Sequence, residues 1–288
     1  MRIDVAFASV GRPALLARTV DRLADQTRKP DGIVISATCG LDVRGIEDVR
    51  PEPHILLTYK GLCKQRNRAL EHLAGKTDIV VFLDDDFVVH NSFLARVEEL
   101  FVREPNIVGA TGDLLDDGIH QDEIPFEVAA ARLDAHVPPA DGPLRARRAL
   151  YGCNMAIRLD AAAGLTFDEA LPLYGWQEDI DFTHQLGRRG RLVSGPQITG
   201  IHLGTRGARS PGKQLGYSQV ANVVHMWRKG TMQPNLGQRL LLQNLASNAV
   251  RSFYPEPHID RRGRLLGNLL ALGDLVAGKI DPRRIETM

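Results

Sequence analysis

The chain has 288 residues, of which 43% are hydrophobic and 25% charged, and its formal net charge is +1. This balance is that of an ordinary soluble protein, and the small net charge argues against nucleic acid as the main partner. No apolar run approaches the roughly 20 residues of a membrane-spanning helix, and the N-terminal apolar stretch is too short for a signal peptide. Three widely separated cysteines, with no Cys-x-x-Cys pair, favour a reducing compartment, so we expect a cytoplasmic protein.

The first third of the chain alternates strand and helix patterns. Apolar runs predict strands at Ile3–Ala8, Gly32–Ala37 and Asp78–Leu83. Apolar residues at helical spacing predict helices over Pro13–Gln26, where the proline suits a first turn, and over Cys63–Ala74, which is followed by a glycine. Alternation of this kind implies right-handed crossover units, and therefore an α/β fold on a doubly wound, mostly parallel sheet.

The pattern loosens in the rest of the chain. We expect a helix at Asn91–Arg103, a short strand at Ile107–Thr111 and a loop over Asp134–Arg148, which contains three prolines and a glycine. Leu236–Val250 and Leu265–Val276 predict two amphipathic C-terminal helices. These helices either pack on the main domain or offer a surface to a membrane or to a second subunit.

Three aspartates, Asp84, Asp85 and Asp86, directly follow the third apolar strand. In open α/β sheets, ligands bind beyond the carboxyl ends of the strands. Alternate side chains of an extended chain share one side, so Asp84 and Asp86 should point together, and such close carboxylates repel one another unless a cation joins them. Because Mg²⁺ and Mn²⁺ prefer oxygen ligands, the cluster predicts a metal or nucleotide site, the alternative being a solvated acidic turn.

A second acidic group, Glu178, Asp179 and Asp181, precedes a return of helical spacing. Acidic residues are favourable at a helix N-terminus, which accounts for the charges alone. This helix-dipole effect does not account for the preceding Tyr174 and Trp176, which suggest the aromatic wall of a pocket. One of the carboxylates is therefore a candidate general base.

Six segments, taken in order, resemble a known family. They are Ser9–Pro13, Gly61–Leu70, Phe82–Asp86, Tyr151–Ile157, Gly175–Phe182 and Ile201–Gly204. The third resembles a metal-binding Asp-x-Asp motif and the fifth a catalytic Glu-Asp segment. Their order and spacing from Ile3 to about Gly230 resemble the family 2 glycosyltransferases, which implies the GT-A fold with a C-terminal helical extension.

The resemblance implies a donor site with a divalent metal, Mn²⁺ or Mg²⁺. Asp86 would bind the metal. Asp84 and Asp85 would each bind the metal or the ribose, and His202 would bind the metal or the diphosphate. The other implied donor contacts are Ser9, Arg12, Arg66, Trp176 and Arg206. Arg206 belongs to a basic, glycine-rich segment, Thr205–Lys213, which is either a lid over the diphosphate or a plain surface loop.

The same resemblance implies the chemistry. Asp179 would be the general base that takes the proton of an acceptor hydroxyl, and Glu178 would bind the acceptor or orient the site. Direct displacement would invert the anomeric configuration. The implied donor is a nucleotide-diphosphate sugar, and the acceptor is a saccharide, a lipid-linked sugar or a small molecule.

The chain departs from the family at the second strand. The family has an acid there that contacts the nucleobase, whereas residues 34–40 contain none. Asp42 is a candidate substitute, and Ser36 and Thr38 are candidates for hydrogen bonds to the base. The nucleobase of the donor therefore stays open.

The predicted organisation has three parts: a nucleotide-sugar-binding part at 1–115, an acceptor-binding part with the catalytic segment at 116–235, and the helical extension at 236–288. A peripheral membrane contact or a homodimer would use the last part.

Two other functions fit fewer features. A phosphohydrolase of the haloacid-dehalogenase type also places Asp-x-Asp after an apolar strand, but normally after the first one, and a nucleotide-sugar sensor would not need Asp179.

Overall fold

The structure is a computed structural model that describes residues 1–47, 49–119, 122–206, 211–254, 256 and 259–288. It contains two compact units. The first comprises residues 1–60, 64–166 and 183–208, and the second residues 61–63, 167–182 and 209–288. The three-part organisation expected from the sequence stays a prediction.

The first unit is built on one mixed β-sheet, which has nine strands among the described residues. In chain order the strands are β1 (Ile3–Ala8), β2 (Gly32–Ala37), β3 (His54–Leu57), β4 (Ile79–Leu83), β5 (Phe87–Val89), β6 (Ile107–Asp117), β7 (Arg145–Ala146), β8 (Asn154–Arg158) and β9 (Arg191–His202). Their spatial order is β3-β2-β1-β4-β8-β6-β9-β5, and β7 pairs with β9.

The strand directions determine which strand ends lie together at one edge of this sheet. β1, β2 and β4 run parallel, β8 is antiparallel to β4, and β6 is antiparallel to β8. β9 is parallel to β6, and β5 is antiparallel to β9. The carboxyl ends of β1, β2, β3, β4, β6 and β9 and the amino ends of β5 and β8 therefore lie at the same edge, which is where a ligand site is expected.

Eight α-helices accompany the strands in the described part of the chain. They are α1 (Pro13–Asp21), α2 (Leu62–Leu73), α3 (Phe93–Arg103), α4 (Phe126–Ala135), α5 (Glu178–Leu186), α6 (Gly212–Lys229), α7 (Pro234–Arg251) and α8 (Arg261–Val276). The α/β fold class and the C-terminal helices expected from the sequence are confirmed.

Burial explains why the predictions from the clearest sequence patterns were correct. All five residues of β4 are buried, as is nearly all of β1, so both strands lie inside the sheet with side chains covered on both faces. On α3, the buried residues Phe93, Val97 and Leu100 recur at helical spacing and join the same core. Removing this apolar surface from water is the main stabilising term for the first unit.

Several predicted boundaries needed correction. The first helix ends at Asp21 and continues as a 3-10 helix over Arg22–Asp25. The strand predicted at Ile107–Thr111 extends to Asp117, because it pairs with β9 along its whole length. The expected loop at 134–148 begins with the last turn of α4 and contains the two-residue β7.

The second unit contains α6, α7 and α8. Tyr217 of α6 is fully buried in its apolar core, together with Val220, Ala221 and Ala271. α6 and α8 approach closely: a β-carbon at Gly216 would lie 2.0 Å from the Arg264 carbonyl oxygen. Among the described residues, no helix is both long and apolar enough to cross a membrane.

Candidate active site

The acidic turn between β4 and β5 lies at the edge where the strand ends meet. The Asp84 carbonyl accepts a hydrogen bond from the Phe87 amide at 3.0 Å, and the Asp84 amide donates to the Cys153 carbonyl at 3.1 Å. The turn is thus tied to the start of β5 and to the segment before β8. Asp85 and Asp86 are buried, so this is not a solvated acidic turn.

Asp84, Asp86 and His202 form a cluster of possible metal ligands. One ligand atom from each lies within 4.8 Å of the other two. His202 is the last residue of β9 and pairs in register with Phe87 of β5, which places its ring beside the acidic turn. Two carboxylates and an imidazole suit Mn²⁺ or Mg²⁺, so the residues present fit the divalent ion that the sequence implied.

His202 also contacts a residue that the sequence did not single out. Its Nε2 lies 3.4 Å from Asp86 Oδ1, and its Nδ1 lies 3.2 Å from Oδ1 of Asp117 at the end of β6. The Tyr151 hydroxyl donates to the other oxygen of Asp117 at 3.2 Å. No sequence signal marks Asp117, because it stands 85 positions before His202 and only the pairing of β6 with β9 joins them.

These contacts set the protonation of His202. Burial alone would lower the pKa of His202, but its hydrogen bonds to Asp117 and Asp86, together with their charges, raise the pKa to about 10. The ring is therefore an imidazolium at neutral pH in the metal-free protein, and it supplies positive charge among the carboxylates. Coordination of a metal by this ring requires loss of that proton.

The three aspartates differ in their pKa shifts. Burial raises the pKa of Asp84 against the opposing charge of Arg66, and the neighbouring Asp86 adds to the shift. Burial likewise raises the pKa of Asp85 to about 7, although Arg12 opposes it. For Asp86, burial acts in the same direction, but hydrogen bonding to His202 and the charge of that ring outweigh it and lower the pKa.

Three of the predicted donor-binding residues hold these aspartates in place. Arg12 Nη2 lies 2.5 Å from Asp85 Oδ1, and the Ser9 hydroxyl donates to the other oxygen of Asp85 at 2.6 Å. Arg66 Nη2 lies 3.1 Å from Asp84 Oδ1. Arg66 is almost completely buried, so it is not a solvent-facing arginine of α2.

The segment after β9 begins at the acidic cluster. The Thr205 amide donates to Asp86 Oδ2 at 3.0 Å. The Arg206 guanidinium lies 2.9 Å from the exposed carboxylate of Asp122, so in this structure it pairs with that residue. Residues 207–210 of the basic segment predicted as a lid lie outside the described residues.

Asp42, the candidate substitute for the missing acid at the second strand, has its carboxylate engaged. One oxygen accepts from the Gly11 amide at 2.8 Å, and the other from the Thr38 amide at 3.0 Å and the Thr38 hydroxyl at 2.5 Å. Asp42 therefore ties the segment after β1 to the segment after β2. This arrangement fixes two backbone segments beside the cluster.

The second acidic group lies in the second unit, at the start of α5. Glu178 is buried, and its amide donates to the Gly175 carbonyl at 2.7 Å. Gly175 has φ +62°, and a β-carbon there would lie 3.1 Å from Glu178 Cγ, so this turn requires glycine. Asp179 is partly exposed, and its carboxylate accepts from the Ile180 amide at 2.9 Å.

Trp176 is held against α6 in the same unit. Its carbonyl accepts from the Asn222 side chain at 2.9 Å, and its ring packs with Val223 and Met226. A small cavity lies beside it, lined by Pro172, Tyr174, Gly175, Trp176, Gln214, Leu215, Ser218 and Ile285. The aromatic wall suggested by the sequence therefore borders a cavity within the second unit.

A buried ionic network beneath the first turn of α5 was not predicted. The fully buried Asp181 carboxylate contacts Lys229 Nζ at 2.7 Å and the Thr231 hydroxyl at 2.5 Å. Lys229 Nζ also contacts Asp168 at 2.8 Å, and Asp168 contacts His225 Nε2 at 2.9 Å. The sequence marked Asp181 as part of an acidic run, but nothing in it linked that residue to Lys229.

Comparison with known protein families agrees with the resemblance noted in the sequence. Residues 5–125 match the model of the family Glycosyl transferase family 2. This match includes the acidic turn, whereas Glu178, Asp179 and His202 lie beyond it. A comparison with curated proteins found no match.

Solved structures give the fold. Residues 1–349 of TarS from S. aureus, in complex with UDP-GlcNAc, are 13% identical with a TM-score of 0.60, covering 100% of this chain and 83% of that one. The mannosyltransferase PcManGT from Pyrobaculum calidifontis, in complex with GDP-Man and Mn²⁺, is 15% identical with a TM-score of 0.53, covering 96% and 80%. At these identities the likeness establishes the fold, which is GT-A-like.

Proposed function

We propose that this chain, whose residues 5–125 match the model of Glycosyl transferase family 2, is a metal-dependent inverting glycosyltransferase that moves a sugar from a nucleotide-diphosphate sugar to an acceptor hydroxyl. The observation that carries the proposal is the convergence of Asp84, Asp86 and His202 at the edge of the sheet. The similar structures hold UDP-GlcNAc in one case and GDP-Man with Mn²⁺ in the other, which supports the donor class and the metal. A phosphohydrolase is set aside because the family match covers the acidic turn.

The proposed metal site consists of Asp84, Asp86 and His202. A divalent ion held there would offset the charge that builds on the leaving diphosphate. Arg12 and Arg66 now pair with carboxylates of the turn. Both guanidinium groups have the donor geometry that suits diphosphate oxygens, so they would contribute positive charge to a diphosphate bound at this site.

The proposed general base is Asp179. Asp179 is partly exposed at the first turn of α5, whereas Glu178 is buried and better suited to orienting the turn. Attack of the acceptor oxygen on the anomeric carbon forms the new glycosidic bond and breaks the bond to the nucleotide diphosphate. Asp179 accepts the hydroxyl proton in that step. Trp176 would contribute a wall of the acceptor or donor pocket.

The test of the metal site compares Asp86→Asn with the unchanged chain. A ligand that binds only the folded state stabilises it, by about 3 kcal/mol at a hundredfold excess over its dissociation constant. We expect nucleotide diphosphates and nucleotide sugars with Mn²⁺ to raise the melting temperature of the unchanged chain. Asp86→Asn should weaken this metal-dependent binding at least about tenfold.

The matched control is Asp141→Asn, which changes an exposed carboxylate that pairs with Arg103 in the same unit. It should leave metal-dependent binding as it was. Equal binding of donors by the Asp86→Asn variant and the unchanged chain, with and without Mn²⁺, would remove the metal from the proposal. A panel of donors in the same assay identifies the nucleobase and the sugar.

A further inference from the structure

α7 carries apolar residues on its exposed side. Leu242, Ala246 and Val250 recur every four positions and are exposed, with Leu242 66% and Val250 61% exposed, and the exposed Arg239 precedes them on the same side. In a helix of a globular protein this spacing normally belongs to the buried stripe. Here α7 has an inner side, which contains the buried Gly237 and Asn248, and a second apolar stripe that nothing in the described chain covers.

α8 repeats this pattern. Leu266, Leu269 and Val276 are exposed at helical spacing, in a row that also contains Arg262 and Gly273, and Val276 is 91% exposed. The inner side of the helix buries Gly267, Asn268 and Ala271. The two exposed stripes belong to helices that pack against each other.

Two exposed aromatic side chains follow the end of α7. Phe253 is 79% and Tyr254 72% exposed. Arg262 Nε donates to the Ser252 carbonyl at 3.2 Å, so the exposed stripe of α8 begins beside these aromatic residues. We refer to Leu242, Val250, Phe253, Tyr254, Leu266, Leu269 and Val276 together as the outer apolar surface.

The charge of this region differs from that of the rest of the chain. Residues 211–288 contain eleven Lys or Arg and five Asp or Glu, a formal net charge of +6, whereas the whole chain carries +1. α7 contains no acidic residue. The one acid of α8, Asp274, accepts from the Tyr217 hydroxyl and pairs with Arg284, so its charge is already matched.

Basic residues flank the outer apolar surface along the chain. Arg239, Lys279 and Arg283 are exposed, and none is in an ion pair within the described ranges of the chain. An exposed apolar stripe flanked by basic and aromatic residues is the combination that places a helix in the interface of a membrane. Each cation near an anionic lipid surface adds to that binding.

We propose that the outer apolar surface binds the face of an anionic lipid bilayer, with α7 and α8 lying along the interface. A second copy of the chain fits less well, because a twofold interface would bring two regions of the same positive charge together. An anionic lipid surface supplies the opposite charge and an apolar layer at once. This inference does not rest on the metal site, so its failure would leave the proposed reaction untouched.

The test is cosedimentation of the full chain with vesicles of phosphatidylcholine alone and of phosphatidylcholine mixed with phosphatidylglycerol. The chain should bind the anionic vesicles and bind them less in high salt. The double variant Arg239→Glu, Lys279→Glu should weaken this binding at least about tenfold. Phe253→Ser together with Leu269→Ser should weaken it to a similar extent, about tenfold or more.

The matched control is Val102→Ser, at an exposed valine of α3 in the first unit. It should bind vesicles like the unchanged chain, and all variants should keep the melting temperature and the nucleotide binding of the unchanged chain, since the substituted side chains are exposed. Absence of binding to anionic vesicles would overturn the proposal. Equal binding to both vesicle types would also overturn it, as would a dimer in light scattering that Phe253→Ser abolishes without any vesicle binding.

Discussion

His202 acts as a cation in the metal-free protein because two carboxylates face its ring. Asp117 and Asp86 hold its two nitrogens at 3.2 Å and 3.4 Å, and the pKa of the ring is about 10. Without this charge, the buried carboxylates of the turn would lose a major source of compensation. The protonated ring thus offsets part of the negative charge of the turn in the metal-free protein.

This protonation predicts a pH dependence of metal binding. Since His202 is charged below its raised pKa, Mn²⁺ binding should release about one proton per ion and should tighten with rising pH between about pH 7 and 9. Calorimetry in buffers of different ionisation enthalpy measures the proton release. The His202→Gln variant should release fewer protons and flatten the pH dependence; release equal to that of the unchanged chain would show that the ring is not a ligand.

Substitutions of Asp179 and Glu178 should affect turnover differently, because only Asp179 is proposed to accept the proton. Asp179→Asn should bind donor normally and lose roughly a hundredfold or more in turnover, the usual contribution of a general base. Donor binding by thermal shift and transfer by product formation are measured on the same preparation. Near-normal turnover of Asp179→Asn would exclude it as the base.

The first turn of α5 depends on charges from outside the helix. Asp181 is fully buried, and Lys229 at the end of α6 links it to Asp168. A buried charge that loses its partner is strongly destabilising. The network therefore fixes the turn that carries Glu178 and Asp179, which makes Asp168 and Lys229 positioning residues for the proposed chemistry.

Asp168 gives this network a measurable pH signature. Its hydrogen bond from His225 lowers its pKa; burial opposes the shift, and Lys229 adds to it. Because the folded pKa lies below the unfolded value of about 4, the stabilisation is complete above that pH and is lost as pH falls through the folded pKa. Asp168→Asn should cost about 2 kcal/mol of unfolding free energy at neutral pH.

Urea unfolding at a series of pH values measures this effect. The difference between Asp168→Asn and the unchanged chain should shrink as the pH falls below about 4. Glu286→Gln, at an exposed acid of the same unit, provides the matched control and should change the unfolding free energy by no more than about 0.5 kcal/mol. A difference that stays constant with pH would mean that Asp168 acts through packing and not through its charge.

At the scale of the whole molecule, the proposed reaction is a single displacement. The acceptor oxygen attacks the face of the anomeric carbon opposite the diphosphate, so the product should have the inverted anomeric configuration. The coupling constant of the anomeric proton in an NMR spectrum of the first product distinguishes the two configurations. A product with the configuration of the donor would rule out single displacement.

The sequence by itself determined most of the elements of the first unit. Fully apolar runs such as β4 and periodic stretches such as α3 are strong local signals, because their burial is set within a few residues. The weak points have physical causes: β3 and β5 contain four and three residues, too few for a pattern. The sequence did not predict α6. All residues of Gly216–Val224 are buried, the polar ones included, so the helix shows no alternation of apolar and polar faces.

The acidic turn and the acidic segment at α5 were also readable in the sequence, because each is a short run of carboxylates beside a recognisable element. Only the tertiary structure supplied their partners. Asp117 reaches His202 through the pairing of β6 with β9, and Lys229 reaches Asp181 across 48 positions of chain. The local sequence shows which residues carry charge. Which opposite charges lie beside them depends on strand register and helix packing, and a single short segment does not encode either of these.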